Sequence, residues 1–114
     1  MKALNEFLNE NQDPVAGFLS QMETIKNDKN VFKTAVEEFS NASKEHKRQI
    51  QEFVGEALPQ QKESLEEMIK EFKSGNLTPD MLKMPMDTKQ AIKNFTDLID
   101  LIDFSIDFVK KYVK

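Results

Sequence analysis

At 114 residues, with 39% hydrophobic and 32% charged positions, the chain is sized for one globular domain around a single core. It has no cysteine, which excludes a disulfide framework, a thiolate metal site and a cysteine nucleophile, and is compatible with a reducing cytoplasm. Its net charge of −4 argues against nucleic-acid binding, which needs a basic face to neutralise phosphates; the one basic cluster, Lys44, Lys47 and Arg48, is short and interrupted by Glu45.

Three glycines, four prolines and long runs of Glu, Lys, Gln and Asn point to an all-α fold, because straight-chain residues lose little rotamer freedom in a helix. The chain opens MKALNEFLNENQ, where Leu4, Phe7 and Leu8 soon give way to polar residues, so no signal peptide is expected. The residues before Asp13 read as a candidate short helix that needs a bundle to dock on. Asp13-Pro14 is a start signal: Asp caps free amides, and Pro at the first helical position gives up an N–H that had no partner. Val15, Phe18, Leu19, Met22 and Ile25 then mark one face of a helix over about 14 to 27.

After a turn at Asn27, Asp28 and Asn30, the longest periodic run extends from Val31 to Leu58. Phe32, Ala35, Phe39, Ala42 and His46 step by three and four; Ile50, Phe53, Val54, Ala57 and Leu58 carry the apolar face on with a change of phase. This reads as one long helix with a candidate break near Asn41 to Ser43, where Ser43 can cap a fresh start. Pro59 is expected to end or interrupt it. Leu65, Met68, Ile69 and Phe72 define the next helix, closed by Ser74-Gly75-Asn76. Thr78-Pro79 opens a short turn, and Asp87 or Thr88 caps a last helix running to about residue 113. Lys110, Lys111 and Lys114 suit its C-terminal dipole. The expected architecture is a single antiparallel helical bundle of four main helices, with the C-terminal helix most central.

That last helix is apolar on nearly every side. At 100° per residue from Asp97, one stripe gathers Ile92, Phe95, Leu98, Ile99, Ile102, Ile106, Val109 and Val113 near about 160°. A second gathers Leu101, Phe104, Phe108 and Tyr112 near about 20°, and Asp100, Asp103 and Asp107 hold the remaining arc. The commoner explanation of two stripes is a central helix packed by its own chain on both sides. The sharper one makes Leu101, Phe104, Phe108 and Tyr112 an interface with a protein partner or a second copy.

Other constellations carry less chemistry. The aspartates lie on a straight helix that cannot wrap a calcium ion, and the calcium-loop signature is absent, so they read as a solvated face. His46 is the only histidine, which leaves neither the paired Glu-x-x-His motifs of a di-iron bundle nor the ligands of a zinc site. Neither a phosphate loop nor a nucleophile elbow is present. No cofactor, metal or membrane span is expected, because the longest apolar segment falls short of roughly 18 uninterrupted residues. Met81, Met84 and Met86 surround Pro85; they read as a loop capping the core, or as an adaptable lid over an apolar ligand. The functional expectation is a small non-enzymatic, cytoplasmic interaction or regulatory module acting through its C-terminal helix and self-associating. An apolar-ligand carrier or a coat for a lipid or polymer surface is the alternative.

Overall fold

Three short polar side chains fix where helices begin. Asp28 accepts hydrogen bonds from the amides of Asn30 at 2.9 Å and Val31 at 3.2 Å. The Ser43 hydroxyl accepts from the His46 amide at 3.1 Å, and the Asp87 carboxylate from the Gln90 amide at 2.8 Å. Each satisfies a donor that the first turn leaves without an intrahelical partner. The computed structural model describes residues 14–114, and the candidate helix before Asp13 lies outside them.

Within this range the chain forms α1 (Pro14–Asn27), α2 (Lys29–Ser40), α3 (Lys44–Ser74), a 3₁₀ turn (Pro79–Leu82) and α4 (Thr88–Tyr112). Gly75 ends α3 in the left-handed conformation at φ 83°, its amide donating to the Phe72 carbonyl. The 31 residues of α3 span about 46 Å at 1.5 Å per residue, which accounts for the 46 Å long axis of the molecule.

The fold is an all-α bundle of four helices among the described residues, but the divisions differ from those expected. The 31–58 run is two helices: the break at Asn41–Ser43 is real, and the second begins under its Ser43 cap. Pro59 does not end a helix, since α3 continues through it to Ser74. The two outcomes share a physical basis. The apolar seam changes phase after His46, and the break lets α2 and α3 reach α4 from different sides, Phe39 against Phe108 and Phe72 against Phe95. Pro59 lies on the exposed side of α3, as does Gly55, whose carbonyl loses the bond the proline cannot donate and is left to water.

α3 and α4 run antiparallel, as three pairings along their length establish. Gln51 Nε2 donates to the Val113 carbonyl, Lys62 Nζ to the Asp103 carboxylate, and Phe72 packs on Phe95 with ring centroids 5.6 Å apart. α1 and α2 form a hairpin laid over the C-terminal half of α4. One apolar cluster draws on all four helices, with Met22, Leu58 and Ile102 fully buried. Met84 and Met86 pack against that cluster, as a capping loop does, while Met81 points away.

Pro59 sits in a helix interior without a packing role, so Pro59→Ala is expected to raise unfolding free energy by about 1–3 kcal/mol in urea titration. A loss of stability on that substitution would contradict its placement.

Candidate functional site

The site is built on the broad apolar face of α4. Along one flank of that face, Phe95 is buried against Phe72 of α3, and Ile102 is fully buried. Along the other, Phe104, Phe108 and Tyr112 meet α2. α1 lies between them, its last turns beside Leu98 and Leu101. Ser105 occupies the middle of the arc and is fully buried. Its hydroxyl donates to the Leu101 carbonyl at 2.8 Å, which satisfies the group inside its own helix and leaves a small, apolar contact surface.

Phe108 is the hub of an aromatic cluster. Its ring lies 5.4 Å from Phe39, 5.6 Å from Phe32, 5.0 Å from Tyr112 and 6.1 Å from Phe104. The two contacts from α2 are edge-to-face, the geometry in which the positive rim of one ring meets the negative face of another. Phe108 retains 2% of its surface and Leu101 6%. Phe104 and Tyr112 are half-buried at the rim, and the Lys26 ammonium stands 6.0 Å from the centre of the Phe104 ring. Within the chain, intramolecular contacts meet this stripe: α2 packs on Phe104, Phe108 and Tyr112, and Leu101 lies beside the end of α1. Phe32 and Phe39 are the α2 residues that do so. Their period was legible, but nothing local tells which helix face a distant phenylalanine will meet.

The polar tether of the hairpin is slight. The Ser40 hydroxyl donates to the Tyr112 carbonyl at 3.2 Å, and the rest of the contact is apolar, from the rings of α2 and the buried Leu19, Met22 and Ile25 of α1.

The aspartates behave as a solvated edge. Asp97, Asp100, Asp103 and Asp107 are exposed; Asp97 pairs with Lys93, and Asp103 accepts from Lys62 at 2.8 Å. The hydrogen bond to Asp103, and then its charge, hold the Lys62 ammonium above its ordinary value. His46 is exposed in the first turn of α3. Among the described residues no group of three His, Asp or Glu side chains is placed to hold a metal ion. No helix among them is long and apolar enough to cross a membrane.

Folding also assembles a basic end that the sequence keeps apart. Lys47 Nζ donates to the Lys114 carbonyl at 3.0 Å, so the start of α3 meets the end of α4. That brings the turn carrying Lys44, Lys47 and Arg48, the last paired with Glu52 at 3.7 Å, to the chain end carrying Lys110, Lys111 and Lys114. Two grooves open elsewhere on the described surface: one of about 480 Å³ between α1 and α2, lined by Thr24, Ile25, Val31 and Ala35, and one of about 290 Å³ between α1 and α4.

Comparison with protein families, with curated proteins and with solved structures finds no match.

Phe108→Ala is expected to lower unfolding free energy by about 3–5 kcal/mol, against less than about 2 kcal/mol for Phe104→Ala at the rim. Equal losses in urea titration would contradict the burial order. The Lys62 contribution is full below the ordinary lysine value of 10.5 and is lost as pH rises through the higher folded value. Stability measured across that alkaline range should fall more in the wild type than in Lys62→Met, and coincident curves would contradict the pairing.

Proposed function

We propose that the chain is a small, non-enzymatic helical module, regulatory in character and cytoplasmic, that acts through helix-to-helix contacts of α4 with another protein or a second copy of itself. The observation that carries this reading is the aromatic face. It concentrates Phe104, Phe108 and Tyr112 on one flank of α4 beneath a hairpin held mainly by apolar contacts. Aromatic side chains are the groups that dominate the energetics of protein contacts. Phe104 and Tyr112 at the rim give a partner its first hold, and the basic end beside them favours an acidic neighbour.

A second reading rests on the 3₁₀ turn. Met81 and Leu82 are 65% and 41% exposed, an apolar tip on the connection between α3 and α4, away from the basic end. Such a tip suits a carrier of apolar ligands or a coat on a lipid or polymer surface.

Cross-linking through lysines in native-host extract, followed by peptide mapping, separates the two. Contacts of α4 and its cover predict cross-links at Lys26, Lys29, Lys33, Lys110 and Lys111. Cross-links confined to Lys83 and Lys89, with binding to hydrophobic particles abolished by Met81→Lys, would contradict the first reading and support the second.

A further inference from the structure

We propose that the partner of the aromatic face is the α1–α2 hairpin of a second copy of this chain. The hairpin is exchanged when Asn41–Ser43 straightens and joins α2 to α3. This rests on the reading of α4 as the contact element and names its occupant.

Complementarity is already on the page. The hairpin seats Phe32 and Phe39 on Phe108, Lys26 over Phe104, and Ser40 on the Tyr112 carbonyl. The same surface on another molecule offers the same partners, so an exchanged hairpin remakes every one of these contacts. The balance between closed monomer and exchanged dimer is then set by the linker and by protein concentration.

The linker is built for straightening. Asn41, Ala42 and Ser43 include neither glycine nor proline. Asn41, at φ −94° and ψ 1°, already donates to the Glu37 carbonyl four residues back, as in a continuing helix. Ser43 has a helical φ of −61° and departs from the helix at ψ, which is 156°. The Lys47 amide donates to the Ser43 carbonyl, again four residues back. Helical bonding thus reaches the linker from both sides; straightening turns ψ of Ser43 to its helical value and moves the Ala42 amide from the Phe39 carbonyl, three residues back, to that of Glu38. The seam of Phe32, Ala35, Phe39, Ala42 and His46 runs through the linker at helical spacing, so the joined helix keeps one apolar face there.

The direction of the elements permits closure. α2 folds back beside α4, with Ser40 at Tyr112 and Phe32 reaching Phe104, and so runs opposite to α3. When α2 continues α3 instead, the two long helices of a pair lie antiparallel about a two-fold axis. Each then delivers its hairpin to the other's α4.

The chain lacks cysteine, so engineered thiols report cleanly. Two differently tagged copies, one Ser40→Cys and one Tyr112→Cys, are unfolded together, refolded at high concentration and oxidised. Exchange predicts a disulfide between the two tags, carried by the dimer fraction in light scattering. It also predicts a dimer fraction raised several-fold by Asn41→Ala with Ser43→Ala, and lowered by insertion of two glycines after Ala42. Circular dichroism confirms that each variant is folded. A dimer without the inter-tag disulfide overturns the exchange while leaving α4-mediated association standing. A chain that stays monomeric at every concentration, including the alanine-linker variant, overturns both the exchange and self-association, and leaves α4 to a different protein.

Discussion

Everything in this structure depends on covering one helix. The apolar arc of α4 runs from about 20° to about 160° of its circumference, wider than a single neighbouring helix can shield. α3 takes one flank through Phe72 and Leu58, α2 takes the other through Phe32 and Phe39, and α1 closes the middle with Met22. Ser105 at the centre of the arc is the complement of that arrangement: a small side chain, satisfied within its own backbone, where larger neighbours converge. The exposed aspartates mark the one side that no helix covers, and they set the rotation of α4 in the bundle.

The supports of α4 are unequal. α3 holds it along the whole hairpin, with hydrogen bonds at the basic end, an ion pair at Asp103 and the Phe72–Phe95 contact beyond. The α1–α2 hairpin holds it through the rings of α2 and the aliphatic face of α1, with Ser40 to the Tyr112 carbonyl as a polar tether. Aromatic contacts of this kind add about 0.5–1.5 kcal/mol each beyond the area they bury, without the directional constraint of a hydrogen-bond ladder. A small frame with a separately attached cover is the structural basis for treating the covered face as a place of exchange.

Much of this was legible in the sequence, and the misses have physical causes. The helices, the Asp28, Ser43 and Asp87 caps and the Gly75 stop follow from local chemistry, which a linear reading sees. The candidate break at Asn41–Ser43 under its Ser43 cap is present, whereas the interruption expected at Pro59 is not. Proline is an interrupter only where its lost bond and crowding cannot be relieved, and an exposed mid-helix position relieves them. The two stripes of α4 were also legible as pattern. Their cover was not, because Phe32 and Phe39 lie far from Phe108 in sequence and nothing local specifies which faces meet. The basic end was hidden for the same reason, since folding alone brings Lys110, Lys111 and Lys114 to Lys47.

The central claim is that rings of α2 cover α4. It is tested most directly by nuclear Overhauser contacts between aromatic side chains in the full-length protein in solution. The account predicts contacts from the Phe108 ring to both Phe32 and Phe39, alongside Phe72 to Phe95. Contacts of Phe72 with Phe95 in a folded chain whose Phe108 ring touches neither Phe32 nor Phe39 would contradict it.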